Sequence, residues 1–215
     1  MKSYKRLIFV TSLCVLSPVC AGLALWGRLP ERVPTHFNFQ GAADGWSGKP
    51  FAVFGLPLFL LAVHLACAFA VLHDPKRANV HGKILSLTLW ISPAVSLFVA
   101  SMVYPNALGV PVDVTFFAML LTGILFAVVG NYLPKCRQNY TVGIKLPWTL
   151  ADEDNWNRTH RMAGALWVAG GVALIVCAFA QIAPMWAFIG VVTLAGAAPV
   201  AYSALLYVRK GAADA

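Results

Sequence analysis

The sequence predicts an all-α polytopic membrane protein, a bundle of six transmembrane helices with both termini in the cytoplasm. Three observations carry that expectation. Of 215 residues, 60% are hydrophobic and only 11% charged, with a mean hydropathy of +0.73, whereas a soluble domain is about 45–50% apolar and about 25% charged. The apolar residues fall in six runs of 20–23 residues, and about 20 suffice to cross the ~30 Å hydrocarbon core. Lys and Arg crowd into alternate connecting segments. A soluble enzyme, a nucleic-acid-binding domain, a disordered tail and a secreted disulfide scaffold are thereby excluded. The net charge of +8 is a topological signal, and direct nucleic-acid binding is not expected.

In chain order the spans are 7–27, 51–72, 84–104, 112–133, 162–181 and 186–208. The first follows Lys2, Lys5 and Arg6, as a signal peptide would. It is longer than a typical signal h-region and no clean A-x-A site follows, so it reads as a retained helix. Lys76, Arg77 and Lys83 follow the second span. Lys135, Arg137, Lys145, Arg158 and Arg161 follow the fourth, and Arg209 with Lys210 follow the sixth. Together with the N-terminal three they make thirteen of the sixteen basic residues; Arg28, Arg32 and Lys49 share the loop after the first span. The positive-inside bias puts the basic segments in the cytoplasm and the loop 28–50 outside. The chain divides into a two-span unit, 1–72, and a four-span unit, 73–215, with a cytoplasmic loop over 134–161.

The spans hold few ionisable groups: His64 midway along the second and Asp113 at the edge of the fourth. Pumps need a relay of such groups, and none is visible. For His64 a hydrogen bond to a neighbouring helix is the plainer expectation. Ala165, Ala169 and Ala173 recur every four residues, as do Ala197 and Ala201, a spacing that predicts close helix packing. Pro18, Pro57, Pro93 and Pro199 lie inside spans, where neighbouring groups can satisfy the carbonyls they free. Five cysteines without a C-x-x-C pair, four of them in spans, do not form a disulfide framework. His73, Asp74 and His81 are too loosely spaced for a metal template. No catalytic motif occurs, so no enzyme activity, cofactor or metal is expected.

Two loops are not featureless. In the outer one, Phe37 and Phe39 alternate with His36, Asn38 and Gln40, a period-two pattern for a strand or extended strip. Gly41 and then Asp44-Gly45 supply turn chemistry, and Trp46 adds an amphipathic group. In the cytoplasmic one, Thr149 with Asp152 three residues on resembles a capping box, so a helix is expected to start near Leu150 with Asp152, Glu153 and Asp154 in its first turn. Trp156 and His160, four apart, share a face of it. Run unbroken into the fifth span, that helix is about 48 Å long, so its first third lies along or beyond the interface.

The outer loop, L-P-x-x-V-P-T-H-F-N-x-x-G-x-x-D-x-W-x-x-K from Leu29 to Lys49, resembles the N-terminal domain of unknown function of SdpI-type membrane proteins. The stretch G-N-Y-L-P-K-x-x-x-N-x-x-x-G-I-K-L-P-W-T-L from Gly130 to Leu150, continued by W-x-x-T-H-R-x-x-G from Trp156 to Gly164, resembles the signature of that family. The resemblance implies a bacterial inner-membrane immunity protein, resident in the lipid bilayer, that protects its producer against a secreted membrane-active peptide toxin. It also implies a signalling role in which a transcriptional repressor is held at the membrane. Toxin sensing would fall on His36, Asn38, Gly41, Asp44 and Trp46. A coupling or repressor-docking surface would fall on Asn131, Pro134, Asn139, Gly143, Pro147, Trp148, Trp156, His160 and Arg161. The competing readings are a transporter or flippase of a small amphipathic molecule, and an intramembrane enzyme using His36, Asp44 and His160. The derived orientation separates His36 from His160 by the membrane and disfavours the enzyme.

Overall fold

The computed structural model describes residues 2–80, 82–182 and 184–213, so His81 of the basic loop lies outside the described residues. The elements run α1 (Lys2–Ala24), β1 (Arg32–Phe37), β2 (Ala43–Gly48), α2 (Leu56–Leu72), α3 (Gly82–Ala107), α4 (Val114–Tyr132), α5 (Pro147–Ala151), α6 (Glu153–Ala180) and α7 (Pro184–Ala213). Among the described residues six helices are long and apolar enough to cross a membrane, one for each predicted span. The protein is a multi-pass membrane protein. It folds as two compact units: one is the chain up to Ala70 with Leu85–Thr115, the other Val71–Ile84 with the chain from Phe116 onward.

In the first unit several polar side chains of the spans donate to helix carbonyls. Pro18 removes the N–H that would bond the carbonyl of Cys14, and Ser17 Oγ donates to that oxygen at 2.8 Å instead. From α3, Ser96 Oγ donates to the Val15 carbonyl at 2.7 Å and Tyr104 Oη to the Pro18 carbonyl at 3.1 Å. The carbonyls around Pro18 are thus satisfied in the way lipid requires. His64 of α2 and Thr11 of α1, both fully buried, meet through Nε2 and Oγ1 at 2.9 Å. Pro57 lies within a helix that runs on unbroken from Phe51 to Leu72. Its opening stretch, Phe51–Gly55, is π-type.

The second unit is organised by glycines. Gly123 and Gly130 on α4 face Gly171 and Gly164 on the antiparallel α6. A Cβ on Gly171 would stand 2.5 Å from the Gly123 carbonyl oxygen, and one on Gly130 would stand 2.9 Å from that of Gly164. Each pair is seven apart and shares one face, so the two backbones touch without side chains between them. This corrects the expected packing stripe: Ala165, Ala169, Ala173, Ala197 and Ala201 are all exposed. The alanine rows point away from the seam, and even a methyl group would not fit where the glycines lie. Phe126 stacks on Trp167 (centroids 4.9 Å apart), whose Nε1 donates to the Ala195 carbonyl of α7 at 2.9 Å.

Two local expectations also change. The hairpin turn is Asn38 to Gly41, not Asp44-Gly45, which lie inside β2. A bulge at Thr35 lengthens β1, and Gly45 faces His36 in the ladder. The long helix of the second signature begins at Glu153, with Asp152 as its cap and Glu153 and Asp154 in its first turn. Thr149 instead closes the single turn of α5, accepting from Leu146 N–H at 2.9 Å. The 28 residues of α6 span about 42 Å, so one end must still leave the hydrocarbon.

Candidate functional site

The hairpin is fixed to its unit by a buried cation. In the turn that follows α1, Lys49 Nζ donates to the oxygens of Trp26 (3.4 Å) and Leu29 (3.2 Å). Its ammonium lies 5.1 Å above the Trp26 ring and 2.8 Å from Glu31 Oε1, with the Lys49 side chain 11% exposed. Val33 and Leu29 then sink into an apolar cluster with Val53, Val103 and Tyr104. Thr35 and Ser47 hydroxyls bond at 2.8 Å across the strands.

Asn38 makes the turn. Its Oδ1 accepts the N–H groups of Gln40 and Ala42, both at 3.0 Å, while Gly41 takes φ +78°, which a glycine adopts without strain. Gly45 leaves room for the facing residue, since a Cβ there would lie 2.8 Å from the His36 Cβ. What remains on the open face is chemistry: His36 Nδ1 2.5 Å from Asp44 Oδ1, Trp46 opposite Pro34 and half exposed, and Phe39 exposed at the tip. The five predicted residues therefore come together in one hairpin. Asn38 and Gly41 build it, and His36, Asp44 and Trp46 are what it presents.

The second predicted constellation is a knot of satisfied polar groups. Fully buried Asn139 accepts Thr141 and Val142 N–H on Oδ1 (2.9 and 2.6 Å) and donates through Nδ2 to the Arg137 and Val142 carbonyls (2.8 and 2.9 Å). Trp156 Nε1 donates to the Cys136 carbonyl at 2.7 Å, and the His160 ring stacks on it with centroids 4.0 Å apart. His160 Nε2 accepts from Ile144 N–H at 2.9 Å, which leaves Nδ1 to donate to the Trp156 carbonyl. Gly143, at φ +120°, lies against both rings, and a Cβ there would overlap His160 Nε2. Trp148 Nε1 donates to Ser203 Oγ at 3.0 Å, and Asn155 Nδ2 donates to the Ser203 carbonyl, tying the loop to α7. Lys210 on the same helix bonds Asp152 at 3.0 Å and holds that carboxyl below the usual range. Burial has the opposite effect on Cys136, whose thiol is pushed up to about 11 against the weaker pull of Asn139.

Asn131, Pro134, Pro147 and Arg161 are the exposed members of that set; Asn139, Trp156 and His160 are buried. Sequence reading missed the residues that lock the loop in place. Asp74 accepts Lys76 N–H, Tyr140 N–H and the Thr141 hydroxyl, and Gln138 Nε2 donates to the Thr149 and Leu150 carbonyls. A lone acid in a basic loop was the available signal for Asp74; Gln138 offered none. Among the described residues no three His, Cys, Asp or Glu side chains are placed to hold a metal.

Comparison with known proteins follows the same two segments. Residues 135–203 match the SdpI/YfhL protein family, and residues 13–61 match a domain of unknown function, DUF1648. The chain is 24% identical over 179 residues to the Immunity protein SdpI of Bacillus subtilis (strain 168), covering 81% of this chain and 82% of that relative. No solved structure matches. The first match takes in the knot around Asn139 and Trp156 together with its anchor Ser203; the second takes in the whole hairpin.

Proposed function

We propose that this protein is a bacterial inner-membrane immunity protein, which recognises a membrane-active peptide toxin at the outer hairpin and passes that recognition to the cytoplasmic loop. The observation that carries the reading is an ordered hairpin, bolted to the membrane helices by Lys49, whose open face offers Trp46, Phe39 and the His36–Asp44 pair. Aromatic groups beside a charged pair suit an amphipathic peptide lying at the membrane surface. The similarity to an immunity protein along most of both chains supports the same reading. Recognition acts by differential affinity: toxin must bind one arrangement of the helices better than another. A repressor would meet the exposed members of the signature, Asn131, Pro147 and Arg161, while the buried ones hold the loop's shape.

The test is survival and membrane potential of a sensitive bacterium carrying this chain, challenged with a membrane-active peptide toxin. Empty vector and Trp46→Ala are the controls, with membrane expression matched. Wild type should protect and Trp46→Ala should lose at least about fivefold in survival, since aromatic contacts of this kind cost more than about 1 kcal/mol when truncated. Equal protection by wild type and by a Trp46→Ala, His36→Ala double variant would overturn the hairpin as the sensor. No protection at equal expression would put transport of a small amphipathic molecule in its place.

A further inference from the structure

We infer that a hollow between the start of α3 and the end of α4 binds a phosphate group, with the headgroup of an anionic phospholipid as the source its position favours. The hollow measures about 400 Å³ and is lined by Asn79, Lys83, Tyr132, Lys135 and Arg137, with Gly82 and Ile84 completing the wall. Three cations thus converge on one space. Among the described residues no carboxylate lies within ion-pair distance of any of them: Asp74 is taken by Tyr140 and Thr141, Asp152 by Lys210 and Asp154 by Arg158. Like charges around a hollow repel, and an anion placed among them removes that repulsion.

The cradle is held in place before any ligand arrives. Asn79 Nδ2 donates to the Gln138 carbonyl at 2.7 Å, and Lys76 Nζ donates to Gln138 Oε1, so the loop after α2 is pinned beside Arg137. The Arg137 carbonyl is itself held by Asn139 at 2.8 Å, which leaves its guanidinium free to offer a two-pronged donor face to phosphate oxygens. The Lys135 ammonium sits 4.8 Å above the Tyr132 ring, steadied without being neutralised. Gly82, at φ +57°, has nothing within 4 Å of where a Cβ would be, so the mouth is open there. The first N–H groups of a helix add positive potential on the same wall.

The location selects the source. Gly82 and Lys135 are the ends of two candidate spans, Gly82–Ala107 and Val114–Lys135, so the hollow lies at the depth of lipid headgroups. Basic pockets between spans at that depth suit anionic headgroups. The inference stands apart from the toxin reading and uses none of the hairpin's residues.

The experiment takes the full chain in nanodiscs and measures, by native mass spectrometry after release into detergent, how much phosphatidylglycerol, phosphatidylcholine and inorganic phosphate it retains. The site variant is Lys83→Ala, Lys135→Ala, Arg137→Ala; the control, Lys5→Ala, Arg6→Ala, Arg209→Ala, loses the same charge elsewhere. Wild type and control should retain phosphatidylglycerol well above phosphatidylcholine, and the site variant should retain at least tenfold less. A photoactivatable phosphatidylglycerol should label wild-type peptides spanning 79–84 and 132–137, an arm that needs no variant to fold. Inorganic phosphate bound alone with the same dependence on the three cations would make the ligand a soluble phosphate. Equal loss in site and control variants, no preference over phosphatidylcholine, or labelling elsewhere would each overturn the proposal.

Discussion

At the scale of a residue, the signature loop works because each buried polar atom has been given a partner. Asn139 is saturated on both ends of its amide, and leaving such groups unmet costs about 1–3 kcal/mol each. Cys136 sits inside that arrangement, 4% exposed, with its Sγ 3.4 Å from the Val142 carbonyl. Burial raises its thiol to about 11, so at pH 8 it carries roughly a hundredfold less thiolate than an ordinary cysteine near 8.5. Cys136 should therefore resist maleimide in the folded protein and react once denatured; rapid native labelling would show the loop to be open. The sign of the linkage follows from the raised value. Above about pH 9 the unfolded chain releases a proton that the folded chain keeps until about 11, so stability from this site is complete below 9 and declines as pH climbs toward 11. Replacing Cys136 by Ala should flatten that part of the melting-temperature profile. A sequence shows an asparagine and a cysteine three apart; it does not show that the chain curls so that one amide serves both sides of the turn.

At the scale of an element, the seam between α4 and α6 is a contact of backbones. Leu at Gly171 would push against the Gly123 carbonyl and the Ala127 backbone, atoms that have no rotamer to escape into. The cost should reach about 3 kcal/mol or more, the upper part of the range for overpacked sites. Ala169→Leu, on the exposed face, should change stability by less than about 0.5 kcal/mol. Thermal unfolding in detergent of the two variants measures both values, and equal losses would mean that the glycine seam does not hold the helices. The six spans were legible because hydropathy and length alone specify them. Which small residues meet was not, since both an alanine row and a glycine row satisfy the periodicity and only approach distance separates them. The start of α6 was misread for a related reason: Thr149 and Asp152 both cap well, and Gln138, remote in sequence, decides that Thr149 closes one turn and Asp152 opens the next helix.

For the whole molecule, what the chain can do depends on which side of the membrane each loop faces. The hairpin follows an odd-numbered candidate span and the signature loop an even-numbered one, so six crossings would put them on opposite sides. Thirteen of the sixteen basic residues fall in alternate segments, and the positive-inside bias would then orient the set. The hairpin itself was half legible: alternation announced a strand near Phe37, but not that Lys49 would turn inward to the Trp26 and Leu29 carbonyls, because a lysine in a polar loop reads as solvated. Orientation can be tested with single cysteines, since the native ones add little background: Cys14, Cys20, Cys67 and Cys177 lie in spans and Cys136 is buried. A membrane-impermeant maleimide should label Trp46→Cys in intact cells at once, and Arg209→Cys only after permeabilisation, with wild type as the baseline. The reverse pattern would keep the fold and exchange the two faces, which removes the hairpin as a sensor of external peptide. Labelling of both from outside would make the number of crossings odd, and the alternation of charge on which the orientation rests would have to be explained another way.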